Sequence, residues 1–219
     1  MIHLYGVVQE LEELPSVGGL GGEPLERRQI DGLEVVVSHV ASELPSVSEE
    51  AVLKHAEVVE ELLARSRAVL PAQLGRAFAD EADLVTAIRT KAVELERGLT
   101  RVRGCAEFGL RVLRGEALDF AEQHESGRDY MRFRLAETMQ RDRIAEEFHG
   151  PLARLSRTSA RFGGASADLL AATYLVPDEN IANFRDEVAR LEAAHPKLGV
   201  VCTGPWPPYT FAGQEGEYE

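Results

Sequence analysis

The chain has 219 residues, enough for one or two domains, and its 44% hydrophobic content suffices for a buried core. A formal net charge of −13 argues against a nucleic-acid partner, because a phosphate backbone rewards clustered cations. No apolar run approaches the roughly 20 residues of a membrane span, and the first residues lack the basic start of a secretory signal. Only two cysteines are present, which excludes a disulfide framework. These features together predict a cytoplasmic protein.

The first forty residues show strand patterns. Residues 2–8 and 33–40 are rich in β-branched side chains, and residues 24–30 form a weaker strand pattern between them. The glycine cluster at residues 18–22 predicts a loop and not a phosphate cradle, because Glu23 would repel an anion.

Two helices are predicted next. Ser48 is a suitable N-cap for a helix that ends near Arg65. Its expected apolar stripe consists of Val52, Ala56, Val59 and Leu63. Residues 68–71 form a short extended piece. A second, continuous helix is expected from Asp80 to Gly104.

The remaining elements follow the order strand, helix, strand, strand, helix, strand. The predicted ranges are 106–113, 128–148, 158–162, 168–176, 178–195 and 198–203, and the first of these helices is expected to break at Gly150 and Pro151 and to resume towards Arg157. This order is typical of a ferredoxin-like sheet with two helices on one face. We therefore predict an α+β protein with an N-terminal domain at 1–104, a ferredoxin-like domain at 105–204 and a tail at 205–219.

The segment from Gly204 to Phe211 contains three prolines, which exclude a helix interior and a central strand. In a polyproline rod, Trp206 and Tyr209 would project from one side, with Phe211 close beyond them. We predict these three aromatic residues as a partner-binding site. The alternative that the tail docks onto its own domain stays open.

No catalytic constellation is visible in the sequence. His55 is followed by several carboxylates, but its helical neighbours at three and four residues are all apolar, which favours a core histidine with one hydrogen bond. Strands at 2–8 and 33–40 could bring His3 near His39, although their spacing matches no known metal motif. We predict no metal, no organic cofactor and no enzymatic activity. A small-molecule enzyme or sensor centred on His55 is the alternative.

Three landmarks go beyond generic patterning. They are the His-Ala-Glu-Val-Val sequence at 55–59, the Val-Leu-Pro segment at 69–75 followed by Phe78, and Thr-Tyr-Leu-Val at 173–176 leading to the tail at 204–211. In this order and spacing, and over nearly its whole length, the chain resembles the gas vesicle protein F/L family (GvpF/GvpL).

That resemblance implies an accessory protein of gas vesicle formation, with an α+β N-terminal domain and a modified ferredoxin-like C-terminal domain carrying extra helices. It also implies that the protein binds the small hydrophobic shell subunit and assists its assembly or nucleation without catalysis. Other accessory proteins are further implied partners, and the implied location is on gas vesicles in the cytoplasm.

Overall fold

The computed structural model describes residues 1–40, 48–114, 126–163 and 168–213. These residues divide into two compact units, one comprising residues 1–106 with 206–213 and the other residues 107–205. The predicted domain bounds at 104 and 204 stay a prediction. Within the described ranges, no helix is long and apolar enough to cross a membrane.

The first unit is built on a five-stranded sheet. Its elements are β1 (Ile2–Gln9), β2 (Leu25–Ile30), β3 (Leu33–His39), α1 (Glu49–Arg65), β4 (Ala68–Pro71), β5 (Ala77–Phe78), α2 (Glu81–Thr90), α3 (Ala92–Val102) and, from the end of the chain, α6 (Tyr209–Ala212). The strand order is β2-β3-β1-β4, and β5 pairs with the start of β1. Seven consecutive residues of β1 are buried, because α1 and α3 both pack against this strand.

A bulge in β1 sets which side chains meet α1. The register of β1 against β3 shifts between Leu4 and Gly6, so Tyr5 and Val8 both belong to the hydrophobic cluster that contains residues of α1. The buried face of α1 consists of Ala51, His55, Val58, Val59 and Leu62. Of the predicted stripe only Val59 is buried: Val52 is 44% exposed and Ala56 and Leu63 are half-buried, so the prediction was wrong by one position at three of its four residues.

The predicted single helix between Asp80 and Gly104 is two helices. Lys91 leaves the helical conformation, with φ −107° and ψ 10°, and separates α2 from α3. The break lets the two helices pack on different strands: α2 contacts β2 and β5, whereas α3 contacts β4 and β1. Gly98 permits the close approach of α3, because a Cβ atom there would lie 3.0 Å from a methyl carbon of Leu70.

The second unit has the predicted order of elements. They are β6 (Cys105–Leu113), α4 (Gly127–Arg154), β7 (Thr158–Arg161), β8 (Asp168–Pro177), α5 (Ile181–Ala194) and β9 (Gly199–Trp206). The sheet order is β7-β8-β6-β9, the ferredoxin-like arrangement, and β7 pairs antiparallel with β8. Its core includes a ring cluster in which Phe184 lies 5.1 Å from Phe108 and 5.4 Å from Tyr174 between centroids. The predicted α+β class is confirmed.

Helix α4 is continuous through the predicted break. Pro151 lies inside it and removes one backbone hydrogen bond. The helix persists because Phe148 and Leu152, on either side of the proline, are both fully buried. These contacts offset the lost bond.

Candidate partner-binding site

The aromatic tail begins inside the sheet of the second unit. Strand β9 extends three residues beyond its predicted end and includes Gly204, Pro205 and Trp206. It lies at the edge of the sheet, where a proline is tolerated because it interrupts no central ladder. The Gly204–Pro205 peptide bond is cis, and Gly204 has a φ of +118° that favours glycine.

The last described residues are anchored in the first unit. Phe211 is only 8% exposed, and Pro207 and Pro208 are buried. The short helix α6, which contains Phe211, packs against α3 and β4. Arg101 Nη2 also donates a 2.9 Å hydrogen bond to the carbonyl oxygen of Gly213. The segment is therefore fixed by its prolines, its phenylalanine and one backbone contact.

Two of the three predicted aromatic residues stay at the surface. Trp206 is 45% exposed and Tyr209 is 39% exposed. The predicted polyproline rod was wrong in shape, because a strand end and a helical turn replace it. Phe211 and the adjacent prolines dock onto the chain's own fold, whereas Trp206 and Tyr209 are free to meet another molecule. Their role in binding stays a prediction.

The exposed pair offers apolar area together with hydrogen-bond donors. Burial and the nearby Glu60 carboxylate raise the pKa of Tyr209 to about 12. The Tyr209 hydroxyl is therefore protonated at neutral pH and can donate, as can the indole N–H of Trp206. Aromatic side chains with such a polar end are enriched in protein interfaces.

His55, the centre of the alternative hypothesis, lies in the interior. It is 3% exposed, and both ring nitrogens have partners: Nδ1 lies 3.0 Å from Nε2 of His3, and Nε2 lies 2.9 Å from the Ala72 carbonyl oxygen. Burial lowers the pKa of His55, which therefore stays neutral. No ring nitrogen remains for a substrate, and the exposed Glu57 and Glu60 lie away from the buried face.

His3 and His39 do not meet. His3 is fully buried next to His55, whereas the side chain of His39 is 58% exposed and lies 3.8 Å from Glu26. In the register of β1 and β3, His39 pairs with Ile2 and His3 with Ser38, so the two histidines are not cross-strand partners. Among the described residues, no group of three or more His, Cys, Asp and Glu side chains could hold a metal ion.

One exposed feature was missed at the level of sequence. Met131, Leu135 and Met139 of α4 are each more than 60% exposed. Their spacing of four residues is visible in the sequence, but the arginines and acids interleaved with them are typical of a solvated, ion-paired surface.

The comparison with known protein families covers almost the whole chain. The family model described as "Gas vesicle synthesis protein GvpL/GvpF" matches residues 1–213. The chain belongs to the GvpL/GvpF family. The role in gas vesicle formation implied by the three sequence landmarks is thereby supported, and the predicted resemblance is confirmed.

Curated relatives carry the same names. The chain is 28% identical over 214 residues to gas vesicle protein F1 of Halobacterium salinarum, covering 96% of this chain and 92% of that protein. It is also 28% identical over 167 residues to gas vesicle protein L of a Streptomyces species, covering 66% of this chain and 62% of that protein. GvpF and GvpL members are thus both among its relatives.

Two crystal structures of GvpF share the fold. The protein from Anabaena superposes with a TM-score of 0.83 at 19% identity, covering 98% of each chain. The protein from Microcystis aeruginosa gives a TM-score of 0.80 at 18% identity, covering 97% of this chain and 99% of that one. At this identity, the likeness establishes the fold.

Proposed function

We propose that this GvpL/GvpF member binds the hydrophobic shell subunit of the gas vesicle and assists its assembly, through a surface formed by Trp206 and Tyr209. We assign it no catalytic step and no cofactor. The observation that carries the proposal is the exposure of these two rings on a segment whose neighbouring residues are buried.

Anchoring of the segment favours binding. A flexible tail loses conformational freedom when it binds, at about 1–2 kcal/mol for each ordered residue. Here Pro207, Pro208 and Phe211 already hold the segment in place. The two rings are therefore presented in a fixed position, which is the property of an interface hot spot.

The chemistry of the two rings suits a hydrophobic partner. Both residues are already more than half buried in the fold, so a partner would cover less than half of the roughly 150–250 Å² that an aromatic side chain can bury. Each ring also carries a donor for a backbone carbonyl of the partner. An apolar shell segment covered in this way would be protected from association with other copies of itself until it is placed in the growing wall.

Capture of purified shell subunit by the full-length protein tests this proposal. We expect the double substitution Trp206→Ala with Tyr209→Ala to reduce capture by about tenfold or more, as for a hot-spot pair. Val93→Ala is a matched control, because Val93 is an exposed apolar residue of the same unit, at 62% exposure. Undiminished capture by the double variant, with a native circular dichroism spectrum, would refute the assigned surface.

A further inference from the structure

The N-terminal part of α4 carries an apolar stripe, formed by Met131, Leu135 and Met139. The side chains are 66%, 62% and 64% exposed, and their spacing of four residues places them one above the other on consecutive turns. Phe133 and Glu137, each two residues from Leu135, lie about 200° around the helix, and both are half-buried. The stripe therefore lies opposite the packed face of α4.

Two opposite charges flank this stripe symmetrically. Arg128 lies seven residues before Leu135, and Asp142 lies seven residues after it. Seven residues make about two helical turns, so both side chains are on the same face as Leu135. Both residues are exposed, and no ion pair joins either of them to another residue of the described chain.

We propose that this face binds a second copy of the same chain, with α4 against α4 in antiparallel orientation about a twofold axis at Leu135. In this arrangement, a residue a given number of positions before Leu135 lies opposite the residue the same number after it. Met131 then faces Met139 of the other copy, and Leu135 faces its own counterpart. Arg128 faces Asp142 of the other copy, twice, once at each end.

The charge pattern specifies both the partner and the orientation. In a parallel pair, Arg128 would face Arg128 and Asp142 would face Asp142, so the charges would repel. Binding of an unrelated apolar helix would not require opposite charges at equal distances on either side of Leu135. The exchange of opposite charges about Leu135 is what an isologous contact requires.

The contact is small, and this sets the expected affinity. Residues 127–143 span about 25 Å of helix with a width of about 10 Å, so the contact covers a few hundred Å² of each copy. Stable interfaces bury about 800 Å² per partner. The dimer should therefore depend on concentration and dissociate in the micromolar range or above.

Sedimentation equilibrium of the full-length protein tests the dimer. Between about 1 and 200 µM, we expect the average mass to rise from that of one chain towards that of two. Leu135→Glu should keep the protein at the mass of one chain throughout this range. Leu53→Glu is the matched control, because Leu53 is also 62% exposed on a helix but lies in the first unit. It should dimerise as the wild type does.

A charge exchange tests the orientation. Arg128→Asp places like charges opposite each other at both ends and should weaken dimerisation by about tenfold. The second substitution Asp142→Arg in the same chain should restore it. The single change also adds a carboxylate to the first turn of α4, where it favours the helix, so misfolding is not expected to account for the loss.

Three results would overturn the proposal. They are a single-chain mass of the wild type over the whole range, a dimer that survives Leu135→Glu, and a double charge variant as weak as the single one. The sedimentation sample contains only this protein and no shell subunit. The result therefore does not depend on whether the proposed shell-subunit binding is correct.

Discussion

The ring nitrogens Nε2 of His3 and Nδ1 of His55 lie 3.0 Å apart in the interior of the first unit. The Ala72 carbonyl oxygen can only accept, so the proton of neutral His55 is on Nε2, and its Nδ1 accepts from Nε2–H of His3. Nδ1 of His3 is then an acceptor with no hydrogen-bond partner among the described residues. The hydrogen bond between the two rings requires a neutral His55, because a protonated His55 has no acceptor at Nδ1, and a protonated His3 would place a second buried N–H at Nδ1 with no partner among the described residues.

This pair makes the stability of the protein depend on pH. Burial, and secondly the coulombic repulsion that arises once His55 is also protonated, lower the pKa of His3 from 6.5 to about 4. The unfolded chain binds the proton more readily, so the contribution is fully present above pH 6.5 and decreases as the pH falls towards 4. This difference between the pKa values of His3 in the unfolded and folded chain corresponds to about 3 kcal/mol of unfolding free energy.

Urea unfolding at several pH values between 7 and 4 measures this dependence. We expect His3→Gln to flatten the loss of unfolding free energy on acidification, because the buried titrating group is removed. His39→Gln is the control, since His39 is on the surface, and should retain the wild-type dependence. Equal pH dependence in His3→Gln and the wild type would contradict the assignment.

A second prediction concerns the buried face of α1. Val59 is fully buried in the cluster that contains Tyr5, Leu62 and Val69. Val59→Asp should lower the unfolding free energy by at least about 3 kcal/mol, because it buries an unpaired carboxylate. Glu60→Ala, on the exposed side, should change it by less than about 0.5 kcal/mol. Equal urea midpoints for the two variants would refute this face assignment.

The order of elements could be predicted from the sequence because it depends on local patterns. The stripe of α5 is an example: Phe184, Val188 and Leu191 recur at helical spacing, and all three are buried. Strands β7 and β8 were predictable for the same reason. With these elements assigned, the ferredoxin-like order of the second sheet followed from topology rules.

The long-range contacts of the fold, including those that anchor the candidate site, were not predictable in this way. His3 and His55 are 52 residues apart, and their meeting depends on the bulge at Tyr5 and on the rotation of α1. The anchoring of Phe211 depends on a surface that α3 and β4 form only in the folded protein. Proline chemistry correctly excluded a central strand but could not specify where the chain turns after Pro208.

A third prediction tests Gly204, the glycine of strand β9 at the start of the aromatic tail. A Cβ atom on Gly204 would lie 2.6 Å from the Glu107 carbonyl oxygen and 3.1 Å from Cδ1 of Phe108, and the φ of +118° is unfavourable for other residues. Gly204→Ala should therefore lower the unfolding free energy by about 2 kcal/mol or more. Gly163→Ala is the control, because no atom of the described residues lies within 4 Å of its Cβ position. A Gly204→Ala variant as stable as this control would show that the backbone relaxes at no cost.

The last prediction separates anchoring from binding in the tail. Phe211 is buried, whereas Trp206 and Tyr209 are exposed, so the three aromatic residues should respond differently to truncation. Phe211→Ala should lower the unfolding free energy of the first unit by about 3 kcal/mol, as for other buried phenylalanines. The double variant Trp206→Ala with Tyr209→Ala should lower it by about 1 kcal/mol or less, because exposed side chains leave no cavity.

Melting temperature and shell-subunit capture should be measured on the same samples. The double variant is expected to melt close to the wild type and to capture poorly. Phe211→Ala is expected to have a lower melting temperature than the wild type. Below that temperature, the amount of shell subunit captured should be proportional to the amount of folded protein, since the two exposed rings are retained. The opposite pattern, in which the double variant loses stability while its folded fraction captures normally, would show that Trp206 and Tyr209 belong to the anchor and that the shell subunit binds elsewhere.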